Sequence, residues 1–361
     1  MKDDYPTGED LYDFEYGMKN SPHVVLLGAG ASCAAIPNGD KYGKKISAMS
    51  GFIDKLGLSD VLEDISLKTT SDNLEEIYME LDERSSTEPD CMSAKTELEN
   101  RIRNYMLEFE LPDTPTIYDF LLMSLTSKDI IATFNWDPLL VQAISRGYEY
   151  TDNLPTIAFL HGNVAVGFCE KDNVMGNAGY PCRCGEILKP TQLLFPIKKK
   201  DYASDTAIAK SWKSLKNALK AAYMVTIFGY SAPKSDAEAI SMLKEAWGDL
   251  KDRDLEEIEI IDLRPEDEVV ASWEEFIHTH HYKYSNSFFE SSLGRFPRRT
   301  CEANFDMFMN NGFMDGGNGF KEGMGFSDID RLTYELIAEE SEKKGTRKIL
   351  SHPYKARHDK R

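Results

Sequence analysis

Runs of apolar residues alternate with amphipathic patterns along much of this 361-residue chain. Five runs of β-branched and aliphatic residues each stop at glycine or polar residues, at 24–27, 129–137, 156–163, 224–231 and 258–265. Continuous apolar runs of this kind are typical of parallel strands buried on both faces. Segments 206–223 and 235–247 carry helical spacing, and Ser235 or Asp236 would cap the second helix. The alternation predicts an α/β fold built on a doubly wound parallel sheet.

Two stretches interrupt this alternation. The interval 41–128 has helical periodicity and no convincing buried strand, which predicts a helical insertion folded over the sheet. The interval 163–200 contains short segments with glycine and cysteine and predicts a second, small insertion. Two insertions beside one sheet would form a cleft. We expect a catalytic domain at 1–272, followed by a C-terminal extension at 273–361 that makes contacts with partners or other copies.

Charge excludes some classes of partner. The formal net charge of −19 argues against a broad nucleic-acid surface, because affinity for phosphate backbones comes from clustered Lys and Arg. The basic stretch 343–361 is interpreted as a solubilising end. No apolar run is long enough for a membrane helix, and the acidic start is unlike a secretory signal. We expect a cytoplasmic protein that binds neither nucleic acid directly nor membrane.

Polar residues follow each predicted strand and would gather at one edge of a parallel sheet. They are Gly28–Ser32, 135–137, 161–163, 229–231 and Asp262. The small residues after the first strand suit a turn that approaches a phosphate closely, with a helix dipole behind it. Each position also has a structural explanation: Asn135 and Asp137 could cap the following helix, with Pro138 in its first turn, and His161 could be a satisfied histidine at a turn.

Several of these motifs occur together in one known superfamily. The segments are GAGAS followed by AIP (28–32 and 35–37), TFNWD (133–137), LHG (160–162), CGEILKP with LLFP (184–196) and IFGYS (227–231). In this order and spacing, over roughly 24–265, the chain resembles the sirtuin superfamily, and in particular the bacterial sirtuin-like proteins of antiviral defence. The resemblance implies a Rossmann-like fold that uses NAD as substrate.

The resemblance also implies a role for each motif residue. NAD would lie across the strand ends, with its pyrophosphate on the glycine turn and its adenosine ribose near the later strands. The residues assigned to NAD are Gly28, Ala29, Gly30, Ser32, Pro37, Gly229, Ser231 and Asp262. Among the catalytic residues, His161 would act as the base and Asn135 would orient the ribose and the attacking water. Asp137 would position Asn135 or stabilise the developing positive charge.

Two departures from the sirtuin pattern bear on activity. Phe134 replaces the glutamine of the deacylase motif, which resembles the NAD-hydrolysing branch. The zinc ribbon is degraded to Cys169, Cys182 and Cys184; three thiolates with a carboxylate or imidazole could still hold zinc, and reduced thiols are the favoured alternative. The six cysteines are too few and too scattered for a disulfide framework.

The resulting prediction is an NAD⁺ glycohydrolase that releases nicotinamide and ADP-ribose, acting in antiphage defence by depleting NAD. Two alternatives stay open: an NAD-dependent protein deacylase, and a sensor that binds NAD or ADP-ribose without turnover. Because unregulated NAD cleavage would kill the host cell, we expect a homo-oligomer or a companion protein. By resemblance, that companion would be a hexameric DNA-translocase-type ATPase or a short Argonaute.

Overall fold

The structure is a computed structural model that describes residues 21–46, 53, 56–62, 65–195, 197, 200–233, 236–248, 256–274, 276–277, 282–309 and 319–342. The acidic start, Ser235 and the basic stretch 343–361 lie outside the described residues. Among the described residues, no helix is both long and apolar enough to cross a membrane.

In the part of the chain that the structure describes, nine strands form two sheets. They are β1 (His23–Leu27), β2 (Ile130–Thr133), β3 (Thr156–Phe159), β4 (Val166–Cys169), β5 (Val174–Asn177), β6 (Lys189–Pro190), β7 (Met224–Phe228), β8 (Glu257–Ile261) and β9 (Tyr282–Ser285). The main sheet has the order β3-β2-β1-β7-β8-β9, and all of its pairings are parallel. The five predicted strands are confirmed, and in each the polar residues lie just beyond the strand.

Twelve α-helices lie within the described residues, together with a 3₁₀ turn at Phe288–Glu290. They are α1 (Ala29–Ala35), α2 (Ser59–Leu62), α3 (Leu74–Ser85), α4 (Pro89–Leu107), α5 (Ile117–Met123), α6 (Leu139–Gly147), α7 (Thr206–Ala221), α8 (Ala237–Trp247), α9 (Glu266–Ser272), α10 (Ser292–Arg295), α11 (Thr300–Met309) and α12 (Phe326–Glu342). The helical character predicted for the first insertion is confirmed by α2 to α5.

The main sheet separates two hydrophobic cores, as expected when side chains alternate between the faces of a strand. Val25 and Leu27 of β1 pack in one core with the helices of the first insertion, α1 and α6. Val24 and Leu26 pack in the other with residues of α7, α8 and α9. The predicted α/β fold, with a sheet covered on both faces, is confirmed.

The strand order creates one place where a ligand can lie between the strand ends. Counting only the main sheet, the order is 3-2-1-4-5-6, and the chain leaves β1 and β7 in opposite directions along the sheet. In open parallel sheets, ligands bind at the carboxyl ends of strands at this point of reversal. Gly28 follows β1 and Gly229 follows β7, so both glycines lie there.

The small insertion is an antiparallel sheet of order β5-β4-β6. Phe195, after β6, joins it to the helical insertion, because its ring stacks on Tyr78 at 4.8 Å and lies 4.8 Å from Trp136. Two aromatic contacts of this kind fix the relative positions of the insertions above the strand ends.

Strand β9 was not predicted. Its four residues are all partly exposed, and as an edge strand it lacks the continuous apolar run by which the other strands were found. The chain after β9 also packs on the domain: Arg298 is buried and donates to both oxygens of Glu340 in α12, at 2.7 and 2.5 Å. The boundary at 272 remains a prediction.

Candidate functional site

A cavity of about 880 Å³ opens at the carboxyl ends of the main-sheet strands. The residues to which the sequence analysis assigns NAD binding or catalysis all line it: Gly28, Ala29, Gly30, Ser32, Pro37, Asn135, Asp137, His161, Gly229, Ser231 and Asp262. The volume is in the range of cofactor-sized pockets. The structure thus brings the predicted residues together, while the role assigned to each stays a prediction.

Glycine is required where the ends of β1 and β7 meet. A Cβ on Gly30 would lie 2.8 Å from the Cα of Gly229, and a Cβ on Gly28 would lie 2.5 Å from the Cα of Tyr230. The Gly28 and Gly30 N–H groups donate to the Phe228 and Gly229 carbonyls, at 3.0 and 2.9 Å. These two N–H groups are therefore used within the protein, and α1 is only seven residues long. The glycines serve close packing of the two turns more directly than the expected cradle of N–H groups.

Asn135 belongs to a hydrogen-bonded network beside this turn. Its Nδ2 donates to the Gly28 carbonyl and to the Ser32 hydroxyl, both at 2.8 Å, and the Ser32 hydroxyl donates to Asp137 Oδ2 at 2.6 Å. The Tyr118 hydroxyl lies 2.7 Å from Ser32 Oγ. The carboxamide of Asn135 is held in one orientation, with its side chain partly exposed at the cavity.

Asp137 connects this network to the start of α6. Besides accepting from Ser32, it accepts from the Leu139 N–H at 3.1 Å, so it supports the start of α6. Burial raises the pKa of Asp137, while its hydrogen bonds from Ser32 and Leu139 oppose that rise. The helix begins at Leu139, and Pro138 is its N-cap residue; the expectation that Pro138 lies in the first turn is wrong.

His161 continues β3 into the cavity. Its carbonyl accepts from the Leu194 N–H at 2.9 Å, and Gly162 follows at φ +75°, where a Cβ would lie 1.8 Å from the Gln192 carbonyl oxygen. The imidazole packs edge-on against Phe134 at 4.9 Å. Its Nε2 is buried without a hydrogen-bond partner in the part of the chain that the structure describes. The side chain is therefore not a satisfied histidine.

A buried ion pair lies behind the imidazole. Nε2 of His161 is 3.8 Å from Asp236 Oδ1, and Asp236 pairs with Lys200 and accepts from the Tyr230 hydroxyl at 2.7 Å. Burial lowers the pKa of His161 to about 3; Asp236 acts to raise it and Lys200 to lower it. The imidazole is thus neutral at physiological pH and can accept a proton.

The sequence missed what Asp236 does. Asp236 occupies the N-cap position of α8, one of the two positions that the sequence predicts for the cap, but its side chain makes no capping hydrogen bond. Instead its two oxygens contact Lys200 and Tyr230. No local pattern marks Lys200 or Asp236 as partners of His161, because they lie 39 and 75 positions away along the chain. Tyr230, by contrast, stood within the IFGYS motif.

The opposite end of the cavity is formed after β8 and β9. Both oxygens of Asp262, which follows β8, accept from Arg264, at 3.1 and 2.8 Å. Ser231, which follows β7, is exposed and also lines the cavity. Burial would raise the pKa of Asp262, but the hydrogen bonds from Arg264 lower it below its usual value. Asn286 and Ser287, which sequence reasoning missed, also line this end. A ribose hydroxyl would share Asp262 with Arg264.

The three cysteines of the small insertion lie together, away from the cavity. The sulfur atoms of Cys169, Cys182 and Cys184 are within 4.8 Å of one another, and Asp172 Oδ2 lies 3.2 Å from the Cys182 sulfur. The Asp172 N–H lowers the pKa of Cys169, which favours the thiolate. Three thiolates are suitable zinc ligands, with Asp172 beside Cys182 as a candidate fourth, and a bound ion would hold the end of β4 to the loop between β5 and β6.

Comparison with known proteins gives remote likenesses. No protein-family model and no curated protein matches the chain. Among solved structures, it is similar to a Sir2 bound to acetylated peptide, with 13% identity over 84% of this chain and 98% of that chain, at a TM-score of 0.36. A Sir2 homologue in complex with NAD shares 15% identity over 75% and 87% of the two chains, at 0.34. With TM-scores below 0.5, these likenesses support neither a fold nor a function by themselves.

Proposed function

We propose that the protein is an NAD⁺ glycohydrolase, which cleaves NAD⁺ into nicotinamide and ADP-ribose. One observation carries the proposal: a single cavity at the carboxyl ends of a parallel sheet is lined both by the close-packed glycine turns and by Asn135 and His161. The position of the cavity suits a dinucleotide, because such ligands bind at the carboxyl ends of open parallel sheets, and Asn135 and His161 supply polar groups for its ribose. The motif resemblance described above points to the same substrate.

The proposed cleavage needs no acid to protonate the leaving group. The pyridinium leaves as neutral nicotinamide, so the transition state develops positive charge on the ribose. What the protein supplies is orientation of the ribose and of the attacking water by Asn135, whose carboxamide Ser32 and the Gly28 carbonyl hold in place. His161, neutral at physiological pH, accepts a proton from that water or from a ribose hydroxyl.

Phe134 favours hydrolysis over deacylation. Its ring stacks on Tyr230 at a centroid distance of 4.1 Å and packs against His161, so an apolar wall stands beside the imidazole. An apolar wall limits the water around the reacting carbon to the molecule that attacks. The deacylase-type glutamine that Phe134 replaces would offer hydrogen bonds here instead.

The direct test is analysis of the products of NAD⁺ turnover. We expect nicotinamide and ADP-ribose in equal amounts from the full chain, alone or with its companion. Asn135→Ala should lower kcat/KM by about 10²-fold, as expected for loss of an orienting group, while Asn217→Ala, an exposed amide on α7, should not.

Absence of nicotinamide under all these conditions would contradict the proposal. Release of acetate from an acetyl-lysine peptide with formation of O-acetyl-ADP-ribose would select the deacylase instead. Tight NAD binding without turnover would identify a sensor.

In the cell, we propose that this activity serves antiphage defence by depleting NAD in the cytoplasm. Regulation by self-assembly or by a companion protein, such as a hexameric ATPase or a short Argonaute, would keep the uninfected cell alive. Expression in phage-challenged cells should lower NAD only after infection, and Asn135→Ala should abolish the fall. Light scattering of the full chain measures its assembly. Deletion of 273–361 is not a suitable test of assembly, because it removes β9 from the main sheet.

A further inference from the structure

We propose that the buried Lys200–Asp236 ion pair positions His161 for its reaction: the Asp236 carboxylate orients the imidazole, and Lys200 limits how strongly that carboxylate holds it. The inference rests on the proposed NAD⁺ cleavage and adds two positioning residues to it. Neither residue belongs to the motifs by which the site was predicted.

The geometry places the carboxylate behind the ring. Asp236 Oδ1 lies 3.8 Å from His161 Nε2, which has no hydrogen-bond partner among the described residues. A carboxylate on this side favours the tautomer that carries its proton on Nε2, and the lone pair is then on Nδ1. Catalytic hydrogen bonds are often long before substrate binds and shorten in the complex. The arrangement is that of a base oriented by a third group.

The other contacts of Asp236 keep it in place. Its Oδ2 accepts from the Tyr230 hydroxyl, and its Oδ1 contacts the ammonium of Lys200, whose side chain is 3% exposed. Tyr230 in turn stacks on Phe134, which packs on the imidazole. The ion pair and the imidazole thus contact the same aromatic side chains, Tyr230 and Phe134.

The electrostatics of the cluster give the two charges opposite effects. Within the described residues, the charged groups that act on His161 are Asp236, at the start of α8, and Lys200, in the loop before α7. Tyr202, also in that loop, stacks on the imidazole at 6.0 Å, and Phe134 contributes an apolar face from the end of β2. Asp236 favours the protonated ring and Lys200 disfavours it.

Because Asp236 and Lys200 act on the pKa of His161 in opposite directions, two variants test the inference. Asp236→Asn removes the carboxylate and leaves the ammonium, so the acid limb of the pH profile of kcat/KM should move to lower pH. Lys200→Met does the reverse and should move that limb to higher pH, in each case by about one unit or more. Asp236→Asn should also lower the plateau of kcat by about tenfold or more, because the ring loses its orienting partner.

Matched variants at exposed residues separate the effect of the ion pair on His161 from general effects of the same substitutions. Lys213→Met is the same change at an exposed lysine of α7, and Asp330→Asn is the same change at an exposed carboxylate of α12; neither should move the profile. If either single variant fails to fold, the double variant Lys200→Met/Asp236→Asn restores neutrality in the cluster. It should fold, with the lowered plateau of Asp236→Asn and an acid limb between those of the single variants.

Histidine ring ¹⁵N NMR of the full chain tests the inference without turnover. The His161 signals, assigned by their loss in His161→Gln, should report the Nε2–H tautomer and opposite shifts of the ring's titration in the two variants. Unchanged titration and tautomer in both variants would overturn the inference even if NAD⁺ is cleaved. Opposite NMR shifts in a chain that leaves NAD⁺ intact would instead support the cluster and contradict the proposed function.

Discussion

Two buried histidines lie at opposite ends of strands in the main sheet, one at the start of a strand and one after a strand. Their pKa values are alike, but the hydrogen bonds of their rings differ. His23 begins β1 and His161 follows β3, and burial lowers the pKa of each to about 3. His23 has both ring nitrogens satisfied, by Thr300 at 2.8 Å and Thr226 at 2.7 Å. His161 has an unpartnered Nε2 and lines the cavity.

The comparison teaches which observation marks a functional histidine. A lowered pKa follows mainly from burial and is found in both rings, so it cannot distinguish a structural from a reactive ring. The distinguishing features are an unsatisfied nitrogen, a carboxylate placed near it without a full hydrogen bond, and access to a cavity. These features are found at the carboxyl ends of the strands, where parallel sheets bind ligands.

The largest expected effect separates the two rings by activity. His161→Gln should lower kcat/KM for NAD⁺ cleavage by about 10²- to 10⁴-fold, the range for loss of a general base, with little change in the affinity for NAD⁺. His23→Gln should leave kcat/KM within about twofold and lower the free energy of unfolding by about 1–3 kcal/mol, because one of its threonines loses its partner. Steady-state kinetics, calorimetric NAD⁺ binding and urea unfolding measure these quantities. Equal losses of activity in the two variants would remove the distinction.

The second effect concerns acid stability and should be shared by the two rings. Each histidine has a folded pKa of about 3, below the unfolded value of about 6.5. The resulting stability is fully present above pH 6.5 and is lost as the pH falls from 6.5 towards 3, by about 1.4 kcal/mol per pH unit for each ring. At pH 4.5 each ring should have lost about 2–3 kcal/mol.

Comparison with a variant isolates this effect from the buried carboxyls Asp129, Asp137 and Glu259, whose raised pKa values act in the opposite direction. The free energy of unfolding of wild type minus that of His23→Gln should fall by about 2–3 kcal/mol between pH 7 and pH 4.5. A difference that is constant with pH would mean that the pKa of His23 is the same in the folded and the unfolded protein.

The same contrast explains what the sequence could predict. The strands and the glycine turns were found because their signals are local: an apolar run, then small residues within five positions. The gathering of Asn135, His161 and Asp262 followed from parallel topology alone. The sequence does not predict the ion pair behind His161, because Lys200, Asp236 and His161 come from three separate segments and each has an ordinary local explanation, such as a helix cap for Asp236.

A third effect, of intermediate size, tests the network that holds Asn135. Ser32→Ala removes the hydroxyl that accepts from Asn135 and donates to Asp137, but Asn135 keeps the Gly28 carbonyl. We expect kcat to fall by about tenfold, equivalent to about 1.4 kcal/mol, with a smaller change in KM. Ser145→Ala, at an exposed serine of α6, is the matched control. An unchanged kcat would show that Gly28 alone orients the carboxamide.

The smallest expected effect on activity comes from the cysteine cluster, which lies outside the cavity. Cys169, Cys182 and Cys184, with Asp172, should hold about one zinc ion per chain, measured by mass spectrometry of the metal. Cys184→Ser should lower the zinc content and the Tm, whereas Cys91→Ala, at a buried thiol of α4, should leave the zinc content unchanged.

Kinetic measurements then show whether a bound zinc ion supports only the folded structure or also the reaction. Because none of the three cysteines lines the cavity, Cys184→Ser should change kcat/KM by less than about twofold below its Tm, and a chelator should act likewise. A chain that purifies without zinc from zinc-containing medium would favour reduced thiols, the alternative drawn from the sequence. A large loss of kcat with an intact fold would instead mean that the small insertion influences the position of Asn135. The contact between Phe195 and Trp136, the residue next to Asn135, is the route that the structure offers.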